Sequence, residues 1–185
     1  MAEVRFAGYG GQGIIRSGII AGRAASIHDT KHATMSQSFG PEARGGACSS
    51  QLVVSESKVL YPYVTRADVL VAMSQEGYEK FEPELKDKGM LLYDVDLVKL
   101  KPARGNVELY GIPATRFAEE LGRKIVANVV MLGFFTAVTG VVTYESMKKA
   151  VPESVPEKAI DLNLKAFERG YDFGLEILKE KKEPQ

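Results

Sequence analysis

Short apolar runs alternate with amphipathic stretches through the first two-thirds of the chain, and helical periodicity fills the last third. Residues 4–7 read as a strand, followed by a glycine turn and a helix over 13–26. In that helix Gly18, Ala21, Gly22 and Ala25 recur at i, i+3, i+4 and i+7, a stripe of small residues that lets it lie close on a sheet. A short strand over 33–36 and a β-rich run over 50–55 flank a loop rich in Gly, Pro and Arg. Residues 69–73 form an apolar run suited to a central strand buried on both faces, and Ser74 is placed to cap a short helix reaching Phe81. Residues 90–93 read as another buried strand, with Asp94 and Asp96 at its end, and 107–110 as the last.

The stretch 124–139 is apolar nearly all round, so it should be covered on most sides. The final helix, after Pro156, places Ile160, Leu164, Phe167, Tyr171, Leu175 and Leu178 on one face. Gly170 and Gly174, four apart in it, mark either a close helix contact, another subunit included, or an imperfect helix. This order of elements predicts one α/β domain over residues 1–185, with a mostly parallel sheet, helices on both faces, a Rossmann-like start and a long C-terminal helix. Residues 179–185 are expected to be a frayed tail.

Composition narrows the function. Apolar residues are 45% and charged residues 26% of the 185, an ordinary globular mixture able to build its own core. Lys plus Arg and Asp plus Glu each total 24, so no global field draws the protein to nucleic acid or to an anionic membrane. Neutrality also removes long-range self-repulsion, which favours association. The single cysteine, Cys48, excludes an internal disulfide, an iron–sulfur cluster and a Cys-rich zinc site within this chain. The apolar stretch 126–142 is short for a membrane span and carries Asn128, Thr136 and Thr139, so it is read as a core helix. With no secretory signal in view, the expected location is cytoplasmic.

Gly8-Tyr9-Gly10-Gly11-Gln12-Gly13 fits G-x-G-x-x-G between a strand and a helix. Glycines there permit a tight turn and close ligand approach, and the helix N-terminus offers free N–H groups to phosphate. A tight strand–helix junction alone would use the same residues. A dinucleotide site wants an acid ending the second strand, where this chain has Ala33-Thr34-Met35-Ser36-Gln37-Ser38. A P-loop wants Lys-Ser/Thr after its last glycine, where Ile14-Ile15 follow. Neither NAD nor ATP is supported.

The second informative segment is Ser36-Gln37-Ser38-Phe39-Gly40-Pro41-Glu42-Ala43-Arg44-Gly45-Gly46. Gly40-Pro41 forces a turn, Gly45-Gly46 frees the backbone, and Arg44 carries a fork suited to phosphate or carboxylate, or to a neighbouring acid such as Glu42. Together the two segments resemble the gamma subunit of the 2-oxoacid:ferredoxin oxidoreductases. The resemblance runs over almost the whole chain, including the strand-to-helix stretch 67–76 and the apolar helix near Asn128. The form Pro41-Glu42-Ala43-Arg44-Gly45-Gly46 is most similar to the 2-oxoglutarate branch, with the pyruvate, 2-oxoisovalerate and indolepyruvate branches as alternatives.

The resemblance implies a subunit, not catalytic alone, of an enzyme that oxidatively decarboxylates a 2-oxoacid to acyl-CoA, CO2 and reduced ferredoxin. It implies alpha and beta subunits, and a delta subunit in some members, that carry thiamine diphosphate, Mg and the iron–sulfur clusters. It also puts this chain on the coenzyme A side. Gly8, Gly10, Gly11, Gln12, Gly13, Ser38, Arg44, Gly45 and Gly46 are the expected ligand-binding residues, or else brace the loop against the alpha subunit. No nucleic acid, membrane or metal partner is expected. A free-standing NAD(P)-dependent oxidoreductase and a purely structural interaction subunit are the competing classes.

Other candidates carry less. His28 and His32 have the i, i+4 spacing of zinc ligands without the adjacent Glu, and a cation at a helix C-terminus explains His28. Asp94 and Asp96 could hold Mg²⁺ or simply form a turn. Lys99, Lys101 and Arg104 make a basic loop, read as solvated, and Cys48 is read as a small, partly buried residue.

Overall fold

The computed structural model describes residues 1–39, 47–102 and 105–182. Its centre is a six-stranded sheet built from β1 (Ala2–Tyr9), β2 (His32–Phe39), β3 (Ala47–Ser55), β4 (Ala67–Ala72), β5 (Leu85–Asp94) and β6 (Glu108–Ile112). The spatial order is β2-β3-β1-β4-β5-β6. β1, β4, β5 and β6 run parallel, while β3 is antiparallel to both β1 and β2. The Rossmann-like start therefore holds only for the first strand, turn and helix. In a dinucleotide fold the second strand lies beside the first; here β3 intervenes, so no residue of β2 adjoins the end of β1.

Several strands outrun their apolar cores because pairing extends them. β3 matches β1 residue for residue from Ala2–Val54 to Tyr9–Ala47. The polar start of β5 is held by Lys86, whose Nζ lies 2.5 Å from Glu3 Oε2 and 2.8 Å from Asp68 Oδ1.

The helices are α1 (Ile14–Arg23), α2 (Gln75–Phe81), α3 (Ala114–Glu120), α4 (Ala127–Thr139), α5 (Tyr144–Ala150) and α6 (Ile160–Lys182). The helix predicted over 13–26 changes to π geometry over Ala24–His28. Helices lie on both faces, unequally. α1 and α3 to α6 share one core with Phe6, Leu52, Val71 and Leu92, whereas α2 and two loops cover the other face through Tyr78, Phe81 and Val98.

α4 is buried along nearly its whole length, and α6 closes its outer side. Of the predicted apolar face, Leu164, Phe167, Tyr171 and Leu178 pack on the core while Leu175 is exposed, and the closest approach to α4 runs through Gly170 and Gly174. A Cβ on Gly133 would collide with the backbone of Phe167 and Tyr171, and one on Gly170 with the Val130 carbonyl oxygen. The glycine pair thus marks a helix contact inside this chain, and the large side chains splay to either side of it. α6 also continues as helix through 179–182, where a frayed tail was expected. Lys181 fastens it, donating to the Leu109 carbonyl at 3.0 Å and lying 3.6 Å from the Tyr110 ring centre.

Candidate functional site

β1 ends at Tyr9 and the chain reverses through Gly10, Gly11 and Gln12 into α1. Gly13 caps the helix at φ 76° and ψ 20°, a left-handed conformation that costs a side-chain-bearing residue about 1 kcal/mol or more. A Cβ there would also stand 2.6 Å from Asn128 Nδ2, so glycine is required twice over. The loop is fastened from within. Gln12 Oε1 accepts from the Tyr9 N–H at 2.7 Å, and Gln12 Nε2 donates to the Met73 carbonyl at 2.8 Å. Asn128, in the first turn of α4, donates to the Gly13 carbonyl at 3.4 Å.

Two adjoining cavities of about 350 and 280 Å³ open on this loop and share Gly11 and Ile125. The larger is walled by Gly10, Gly13, Cys48 and isoleucines, with Arg16 and Asn128 as its charged and polar side chains. The helix ends that face it differ from those of α2 and α5, though α3 shares their lack of an own cap and of a first-turn acid. α2 and α5 are capped by Ser74 and Thr143 and carry Glu76 and Glu145 in their first turns. α1 and α4 have neither a side-chain cap nor an acid there. Instead α1 carries Arg16, which makes no ion pair or side-chain hydrogen bond among the described residues. A cation beside the positive end of a helix is disfavoured by about 0.3–1 kcal/mol, so the arrangement invites an anion.

The pyruvate ferredoxin/flavodoxin oxidoreductase family model matches residues 3–173. The chain belongs to this family. Among curated relatives, the 2-oxoglutarate synthase subunit KorC of Methanocaldococcus jannaschii is 47% identical over 177 residues, 95% of each chain. The gamma subunit of a keto/oxoacid ferredoxin oxidoreductase from Geobacter sulfurreducens superposes with a TM-score of 0.85 at 45% identity, covering 95% of this chain and 99% of that one. A 2-oxoglutarate:ferredoxin oxidoreductase from Magnetococcus marinus, solved with 2-oxoglutarate, coenzyme A and succinyl-CoA, aligns at TM-score 0.84 and 25% identity over 94% of this chain and 31% of that one. The resemblance drawn from the two loop segments is correct, and a free-standing nicotinamide enzyme is not favoured.

Within this oxidoreductase subunit the predicted site residues separate. Gly10, Gly11 and Gly13 line the cavities, and Gly8 makes room for Gln12 and Ile14, whose atoms a Cβ would meet at 2.5 and 2.6 Å. Ser38 stands apart: it pairs with Ser49 on the row of Ala7, whose side chains face α2, while Cys48, one row on, belongs to the core on the α1 side. Arg44, Gly45 and Gly46 lie outside the described residues, as does Arg104. Cys48 is buried, which pushes its thiol pKa up and keeps it a poor nucleophile.

The remaining candidates have structural work. Asp94 is buried and accepts from Thr115 N at 2.8 Å and Oγ1 at 2.6 Å, holding α3 against β5. Asp96 pairs with Arg116. His28 lies 3.2 Å from Glu153, and His32 is on an edge strand; no group of three metal-ligating residues occurs among the described residues. Lys101 pairs with Glu79 at 3.1 Å, and the Lys99 backbone is clasped by Gln75. No helix of the described residues is long and apolar enough to cross a membrane. Sequence reasoning missed Arg16 as a cavity-lining residue. Its signal was a cation in the first turn of a helix with no acid to balance it.

Proposed function

We propose that this chain, the gamma subunit of a 2-oxoglutarate:ferredoxin oxidoreductase, holds coenzyme A at its glycine loop while the rest of the enzyme converts 2-oxoglutarate to succinyl-CoA, CO2 and reduced ferredoxin. The observation that carries the reading is the uncapped, acid-free N-terminus of α1 opening, through Gly10, Gly11 and Gly13, onto a cavity with apolar walls. A coenzyme with phosphates at one end and an apolar arm fits that lining. The Magnetococcus marinus relative was solved with coenzyme A and succinyl-CoA, which supports the choice of ligand.

When bound, coenzyme A supplies the thiol that takes the acyl group. The chain's own part is to bind and orient. Backbone N–H groups at the start of α1 face the phosphates, Gln12 keeps the turn from spreading, and Gly8 leaves space for Gln12 to do so. Arg44, Gly45 and Gly46 are proposed as further coenzyme A contacts, whereas Ser38 faces the α2 side of the sheet and takes no part at this cavity. Thiamine diphosphate, Mg and the iron–sulfur clusters are assigned to alpha, beta and, where present, delta subunits. The single cysteine of this chain supports that division. Exposed Leu60, Tyr61 and Tyr63, 88, 62 and 55% accessible, support docking onto such partners in the cytoplasm.

Anaerobic affinity purification of the tagged chain from its host tests the reading. The expected eluate is a large brown complex that reduces viologen with 2-oxoglutarate only when coenzyme A is present. A complex whose turnover ignores coenzyme A, or a colourless lone chain, overturns it.

A further inference from the structure

The loop between β3 and β4 is built with its polarity inverted. Leu60, Tyr61 and Tyr63 are exposed, and the two tyrosine rings meet edge to face at 5.6 Å. Val59 and Val64 turn inward onto the smaller core. What the loop rests on is polar: the Val64 N–H donates to Gln51 Oε1 at 2.8 Å, and the Val64 carbonyl accepts from Arg5 Nη2 at 2.5 Å. Gln51 pairs with Arg5 on one side and Ser36 on the other, a single row across the sheet. Arg5 Nε, Ser36 Oγ and Ser49 Oγ, all buried without a hydrogen-bond partner among the described residues, lie in that row and in the next row on the same face. A loop that served only to cover the sheet would turn its large apolar side chains to the inside. Lys58 and Arg66 bracket the exposed tip, and neither makes an ion pair or a side-chain hydrogen bond among the described residues. The acids beside them in sequence, Glu56 and Asp68, are turned to Lys31 and Lys86 instead.

From this combination we infer that residues 58–66 are the knob by which the chain seats in another subunit of the same enzyme, and that the socket is an apolar hollow bordered by carboxylates. The inference rests on the subunit reading above and gives that contact its place and its chemistry. Two tyrosines held edge to face, with Pro62 between them, lose little freedom on binding, and tyrosine is enriched among interface hot spots. The unpaired cations at either end steer and orient the approach. They also decide against a second copy of this chain: a two-fold axis through the patch would set Lys58 and Arg66 against their own images, like charge on like. An anionic membrane fits less well, because two cations fall short of the roughly four to eight that a lipid-binding cluster carries.

The test uses the complex purified anaerobically through the tagged chain. Tyr61→Ser with Tyr63→Ser is expected to raise the dissociation constant of the chain from the complex at least about tenfold, read by dilution and sizing. Lys58→Glu with Arg66→Glu is expected to weaken it about fivefold or more, and to abolish the loss of affinity that the wild type shows as salt is raised. All four side chains are on the surface, so the circular dichroism of each variant should match the wild type. A photoreactive benzoylphenylalanine in place of Tyr61 should cross-link to another subunit, at a segment of apolar residues with Asp or Glu beside them. A cross-link to a second copy of this chain, to phosphatidylserine when such vesicles are added, or to a basic surface overturns the inference, as do variants that stay in the complex with wild-type affinity. A wild-type chain that purifies alone overturns the subunit reading itself.

Discussion

The side chain of Gln12 joins the glycine turn to Met73, donating at 2.8 Å to the carbonyl that ends the neighbouring parallel strand. Its other amide atom accepts from Tyr9, so one residue fixes both the shape of the turn and its distance from β4. Gln12→Ala is expected to cost about 1–2 kcal/mol of stability from two lost hydrogen bonds and to raise the coenzyme A KM with kcat little changed. Urea unfolding and steady-state kinetics of the assembled enzyme check both parts. A lowered kcat at unchanged KM would show that the turn does not serve binding.

Gly170 packs against the backbone of Val130 with no room for a methyl group. Gly170→Ala must push α6 off α4, at a cost of about 3 kcal/mol, the upper end of ordinary overpacking. Gly122→Ala is a useful contrast. That position has nothing within 4 Å, but its φ of 91° makes the substitution strained without any clash. Thermal melts should rank Gly170→Ala as the worse of the two; the reverse order would mean the helix seam yields easily.

Arg5 is buried under Phe81, donating to the Val64 carbonyl at 2.5 Å and pairing with Glu84 at 2.8 Å. Its Nε has no partner among the described residues, and burial pulls its pKa down, so the charge is held at a cost. Replacing Arg5 with Met, similar in length and apolar, should change stability by less than about 1 kcal/mol. Glu84→Ala, which leaves the buried cation unbalanced, should cost about 2 kcal/mol despite the half-exposed carboxylate. Denaturation midpoints in the opposite order would show that the arginine is a net stabiliser.

Asp29 ties the end of the first helical segment to α5, accepting from Thr143 Oγ1 at 2.6 Å and Thr143 N at 3.0 Å. Burial pushes its carboxyl pKa up, but hydrogen bonds from Ser146 and Thr143 and the charge of Lys31 outweigh that and hold it below the ordinary value. A depressed acid stabilises the fold above the unfolded value near 4 and loses that contribution as pH falls through the folded value. The stability gap between the wild type and Asp29→Asn should be full at pH 7 and narrow below about pH 4. A gap that stays constant across that range would count against the assignment.

Much of this architecture was legible in residue order. The Ser74 cap and the helix to Phe81 are where the pattern puts them, and the glycine loop turns between strand and helix as G-x-G-x-x-G requires. What escaped depended on distance along the chain. β3 wedges between β1 and β2 because long-range pairing outweighs order, and nothing near residue 50 announces it. α3 is held by Asp94, 21 residues earlier, so its start has no local cap to read. The site divided likewise. Gly10, Gly11 and Gly13 could be read from local spacing, whereas the meeting of Gly13 with Asn128 exists only after the core has assembled.

The seam between α4 and α6 sets the order in which a newborn chain can become whole. The apolar α4 leaves the ribosome well before Phe167 and Gly170, which will shield it. At about 5–20 residues per second it waits on the order of seconds without that cover. The glycine loop, made 115 residues before Asn128, waits longer still for its opposite wall.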